Sequence, residues 1–134
     1  VSSILLRVLL FLGGVFAVFS GMKSVFGGFQ DAGGLVLTHE QLVQNNHIRF
    51  LGGLWTGVGV LFLLAPFNLK YFQPMLYLAF ALIFAGGIAR LTVMRSDVLL
   101  DPVVLASLVA ELALMPALAY WLARTAPDRP QPTR

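Results

Sequence analysis

The sequence predicts an all-α protein, a transmembrane four-helix bundle with both termini cytoplasmic and a long first extracytoplasmic loop. Three observations predict it. Apolar stretches of about twenty residues run near 4–22, 48–67, 75–94 and 103–122, and each is long enough as a helix to cross the hydrocarbon of a bilayer. The chain is 58% hydrophobic and 11% charged, against the roughly 25% charged residues of a soluble domain. Basic residues also divide unevenly between the two sides that four crossings create. The side holding both termini carries Arg7, Lys70, Arg124, Arg129 and Arg134, while the other carries Lys23 and Arg95 among Asp31, Glu40, Asp97 and Asp101.

The first span, Ile4 to Met22, is longer than a signal-peptide core. Its end, Ala17-Val18-Phe19-Ser20-Gly21, lacks a small-x-small cleavage pattern, so it reads as an anchor. The connection from Lys23 to Asn45 contains Gly27-Gly28 and Gly33-Gly34, which predicts a flexible or tightly turning exposed segment, with a lid over the helices as the alternative. Within it, Thr38 and Gln41 have capping-box spacing, so a helix is expected to begin at His39 and run through Asn45, Asn46 and Arg49 into the second span. Gln73-Pro74 is expected to open the third span, and Asp101-Pro102 the fourth, each with proline at the first helical position. Residues 126–134, with Pro127, Pro130 and Pro132, read as a disordered tail beyond a single helical domain over 1–125.

Small residues recur every fourth position: Gly13, Ala17 and Gly21, then Gly53 and Gly57, then Ala81, Ala85 and Ala89. Such stripes let helix backbones approach, which matters where lipid removes the hydrophobic drive for association, so these faces are expected to be buried helix contacts.

Arg49, Arg90 and Glu111 are the ionisable residues within the spans or at their edges, where an isolated charge costs several kcal/mol. With the termini inside, all three fall in the outer half of the bundle. Helical side chains lean toward their own N-terminus, so Arg90 on an outward-running helix and Glu111 on an inward-running one lean toward each other. They form the primary expected pair, and Arg49 is the third member. Ser107, one turn before Glu111, and Asn46 complete the expected polar cluster. Gly86, one turn before Arg90, leaves space, and Pro116 cannot donate a backbone N–H to Leu112, which predicts a kink one turn past Glu111. The plain alternative is an ion pair that only fixes helix register.

Other chemistry finds less support. Cysteine is absent, which removes thiolate metal sites and thiol catalysis. His39, Glu40 and His47 lack HExxH spacing, and two histidines fall short of the roughly four that two bis-histidine haems would need, so no metal or other cofactor is expected. The net charge of +3 has no basic stripe interleaved with aromatics, so nucleic acid is not an expected partner. Most tryptophans and tyrosines lie toward span ends, where interfacial anchoring is expected. One carboxylate without a nucleophile or metal defines no reaction class.

Three segments carry a family likeness: Asn46-His47-Ile48-Arg49-Phe50-Leu51-Gly52-Gly53-Leu54-Trp55-Thr56-Gly57-Val58-Gly59, then Gly86-Gly87-Ile88-Ala89-Arg90-Leu91, then Glu111 followed by Pro116. With four spans in so short a chain, this resembles a bacterial family of small membrane proteins known as a domain of unknown function of the four-three-four-five type. The resemblance implies a four-helix fold in the bacterial inner membrane and brings no activity with it. The functional expectation is binding of a lipid-like or amphipathic small molecule at Arg90, helped by Arg49, among membrane lipids. The alternatives are an accessory or assembly subunit of a larger membrane complex, a homo-oligomer, and a proton-coupled small transporter using Glu111.

Overall fold

The computed structural model describes residues 3–28 and 37–125, which are helical apart from short turns and caps. The tail expected at 126–134 and the Gly33-Gly34 turn lie outside the described residues. Helix α1 spans Ser3–Gly27, α2 His39–Leu64, α3 Leu69–Arg90, α4 Ser96–Leu99, α5 Pro102–Val109 and α6 Met115–Thr125. Single 3-10 turns, Ala65–Phe67 and Leu91–Val93, extend α2 and α3, and a π-helical turn, Ala110–Leu114, joins α5 to α6 without a break. This gives four helical segments long and apolar enough to cross a membrane: Ser3–Gly27, His39–Phe67, Leu69–Val93 and Pro102–Thr125. Large apolar side chains remain exposed along them, including Phe16 at 65%, Phe19 at 72% and Leu82 at 63%. A water-soluble protein buries such residues, whereas a bilayer solvates them.

The chain divides into two compact units, one of them Arg7–Phe67. In this unit α1 and α2 run antiparallel at backbone contact. A Cβ on Gly14 would lie 2.9 Å from the Gly59 carbonyl oxygen, one on Gly52 2.8 Å from that of Gly21, and one on Gly59 2.6 Å from the Val18 nitrogen. The glycines that meet, 14 and 21 on one helix and 52 and 59 on the other, are thus seven residues apart, two helical turns, rather than four. Gly53 and Gly57, expected in this contact, are exposed, and a Cβ on either would meet nothing within 4 Å. The turn of about 100° per residue carries Gly53 off the face that Gly52 occupies.

Helix reaches further into the first connection than its glycines suggest. Gly28 ends α1 at φ +53°, donating its N–H to the Ser24 carbonyl at 3.1 Å, in the left-handed conformation that glycine adopts without a steric penalty. The capping box opens α2 as read: Gln41 N donates to Thr38 Oγ1 at 3.3 Å, and Thr38 N donates to Gln41 Oε1 at 2.9 Å.

In the second unit, within 68–125, α3 does not start at Pro74. Asn68 caps it, accepting from Tyr71 N at 3.1 Å, and Pro74 lies inside the helix. Hydropathy marks where lipid begins, whereas the cap marks where the helix begins, and here the two differ by one to two turns. Asp101 caps α5 as expected, accepting from Val103 N at 2.9 Å and Val104 N at 3.4 Å, with Pro102 in the first turn. The α5–α6 segment packs along α3, and Leu76, Ala79, Phe80, Leu108, Met115, Leu118 and Leu122 are buried on these helices. Ala81, Ala85 and Ala89, expected as a packing stripe, are exposed. The large residues Leu76 and Phe80 fill the contact instead.

Candidate functional site

Arg90 is the last residue of α3, and Glu111 lies in the π-helical turn. Two features of the sequence position Glu111. Pro116 lacks the N–H that a regular helix would aim at Leu112, and its ring would press on that carbonyl. The backbone widens just before it, and Met115 N–H reaches back to Ala110 O in place of a four-residue bond. The break expected one turn beyond Glu111 is therefore a widened turn that includes Glu111 itself. The second feature is Gly87, which is buried on α3, and a Cβ there would lie 2.8 Å from Glu111 Cβ. Gly86, expected to provide the space, faces open surroundings.

The Arg90 Nε donates to both carboxylate oxygens of Glu111, at 3.0 and 2.9 Å. The Arg90 side chain is 48% exposed and that of Glu111 16%. All of this pairing uses Nε, so Nη1 and Nη2 have no hydrogen-bond partner among the described residues. Counting along the helices at about 1.5 Å per residue sets Glu111 roughly 13 Å from the start of α5, and Gly87 beside it roughly 9 Å from Val93. Arg90 itself lies about 4.5 Å from Val93 along its helix, so its four N–H groups are presented near the end of the apolar segment, where an unmet donor is costly if lipid surrounds it.

The other expected members are placed differently. Arg49 Nη1 donates to the carbonyls of Val25 at 2.6 Å and Phe26 at 3.3 Å, closing the C-terminal end of α1. Arg7 does the same at the other end of that hairpin, donating from Nη1 to the carbonyl of Pro66. Each helix of the hairpin thus carries an arginine, Arg7 in the second turn of α1 and Arg49 about three turns into α2, that meets the carbonyls ending its partner, where the partner's helix dipole is negative. Ser107 is half-buried, and its hydroxyl has no hydrogen-bond partner among the described residues. Asn46 is exposed, and it is Asn45 that is buried, at 5% exposure. A Cβ on Gly28 would collide with the Asn45 side chain, so these two residues fit one another at the turn. Sequence reasoning missed Asn45 because two adjacent asparagines differ only in the helix face they occupy.

An apolar groove of about 160 Å³ lies on the same helix pair as the ion pair, lined by Tyr77, Phe80, Ala81, Phe84, Met115, Pro116 and Ala119. Its only hydroxyl, that of Tyr77, accepts from Gln73 Nε2 at 3.4 Å. Among the described residues no three His, Asp or Glu side chains could share a metal ion.

The family described as Domain of unknown function (DUF4345) matches residues 5–122, nearly the whole chain. The chain belongs to this family. No curated protein and no solved structure matches it. The stretch that suggested the DUF4345 likeness has a physical reading in this chain. Arg49 holds the end of α1, Gly52 and Gly59 admit its backbone, and Trp55 Nε1 donates to Ser20 Oγ at 2.9 Å. Positions 49, 52, 55 and 59 fall on one face, so this face serves packing against α1, and Trp55 ties the two helices together.

Proposed function

We propose that this protein binds a lipid-like or amphipathic small molecule at the Arg90–Glu111 pair, in the bacterial inner membrane with both termini cytoplasmic. The observation that carries the reading is the division of labour within one guanidinium. Glu111 holds Nε and so fixes the plane of the group, while Nη1 and Nη2 keep their donors for something outside the chain. A pair serving only helix register would gain from engaging those donors internally, because on a half-exposed guanidinium beside apolar surroundings each unmet N–H is a cost. The groove from Tyr77 to Pro116 adds apolar surface for a tail or ring on the same helices. Arg49 contributes to the fold of the α1–α2 hairpin in this reading, not to the ligand. The orientation rests on the distribution of Lys and Arg between the two sides.

Gentle extraction followed by mass spectrometry of the intact protein tests the proposal. A small molecule enriched with the native protein and depleted in Arg90→Gln is the expected result, and equal recovery from both sinks it. A second reading, an accessory subunit of a larger membrane complex, draws on the exposed Gly53 and Gly57, where another helix could approach closely. A single protomer mass at native expression level in mild detergent would count against it.

A further inference from the structure

Resting on that reading, we infer that the moiety received by Arg90 is a neutral carbonyl, such as a lipid ester or a quinone, rather than a phosphate or another anion. The Arg90–Glu111 pair has a formal charge of zero. Of the charged side chains from Gly87 to Glu111, two are basic (Arg90 and Arg95) and three acidic (Asp97, Asp101 and Glu111), and Arg95 is engaged by Asp97. The remaining cations within 68–125, Lys70 and Arg124, belong to the opposite ends of α3 and α6. Within 68–125, therefore, no spare positive charge accompanies Nη1 and Nη2. An anion seated there would share one guanidinium with Glu111, whose oxygens already lie 3.0 and 2.9 Å from Nε, and would leave a net negative cluster within the span. A carbonyl oxygen offers lone pairs to the same donors and leaves the cluster neutral. The hydrogen bonds come with the ligand, and the charge is already balanced within the chain.

The test is competitive retention on the full chain in lipid nanodiscs, read by native mass spectrometry. The probes are dioleoylglycerol, decyl-benzoquinone and an ether-linked phosphatidylglycerol that carries the anion but no carbonyl. The native protein is expected to retain one of the neutral carbonyl probes about tenfold or more over the ether-linked anion. Which neutral probe is retained separates an ester from a quinone. Glu111→Gln leaves the site formally positive and should reverse the order toward the anion, while Arg90→Gln should lose selectivity altogether. Arg90→Lys, which keeps the charge but not the planar pair of Nη groups, should lose the carbonyl probe and serves if the glutamine variant does not fold. Arg90-dependent preference of the native protein for the ether-linked anion would overturn this inference and leave the binding reading standing. Failure of all three probes to show any dependence on Arg90 would overturn both.

Discussion

A methyl group added at Gly87 would sit 2.8 Å from Glu111 Cβ and 2.9 Å from Leu112 Cδ2, and the first of these atoms cannot swing aside without moving backbone. Gly87→Ala is accordingly expected to destabilise the protein by about 1–3 kcal/mol, seen as earlier thermal unfolding in detergent. Gly86→Ala, with nothing within 4 Å, should be neutral or stabilise by roughly 0.5–1 kcal/mol through helix propensity. The contrast locates the close approach at one of two adjacent glycines. Arg90→Ala strands Glu111 and should cost about 1–3 kcal/mol, below the value for a fully buried pair because Arg90 is half exposed, whereas Arg90→Met with Glu111→Leu should restore most of the stability. Charge and side-chain lean made Arg90 and Glu111 legible in the sequence. The choices between Gly86 and Gly87, and between Asn45 and Asn46, were not, because neighbours in a helix differ by about 100° of azimuth and nothing in a lone sequence sets the zero of that angle.

The α1–α2 hairpin is held at its two ends by Arg7 on the Pro66 carbonyl and Arg49 on those of Val25 and Phe26. Each charge-assisted bond is worth about 1.5–3 kcal/mol in a favourable setting, so Arg7→Ala and Arg49→Ala should each lower the unfolding midpoint. The clasps lie some 27 Å apart along the helix, so the double variant should show the sum of the two losses. In the α3–α5 connection, Asp97 is held below the usual carboxylate range by its hydrogen bond from Arg95. A depressed folded value means that its contribution is present above the unfolded carboxylate pKa and disappears as pH falls through the folded one. Protection of the Val98–Leu100 amides, taken relative to their intrinsic exchange at each pH, should therefore fall on acidification in the native chain and stay level in Asp97→Asn. Caps were readable where side-chain chemistry left no choice, as at Thr38 with Gln41 and Asp101 with Pro102. Gln73-Pro74 misled because Asn68 offered an earlier cap, and the π-helical turn was half legible, since Pro116 announced a fault in the hydrogen bonding without saying how the backbone would absorb it.

Across the molecule, hydropathy carried the reading of four crossings, because a bilayer demands length and apolarity of each helix whatever its neighbours are. It could not say which faces meet lipid. Exposed Leu82, near the middle of its span, supplies a check: Leu82→Asp would be nearly neutral on the surface of a soluble protein, but here it should cost about 3 kcal/mol in a membrane-insertion assay. Reporter fusions at the two ends should both register the cytoplasm. The Arg7 clasp has a consequence for biogenesis. Its acceptor, Pro66, follows it by 59 residues, so the guanidinium is made well before the carbonyl it will hold. During that interval the guanidinium is uncommitted to the fold, and in the orientation proposed above it is free to act as a topogenic charge. Once the second helix has returned the same group becomes a latch, so in that orientation one side chain would serve first the topology of the hairpin and later its closure.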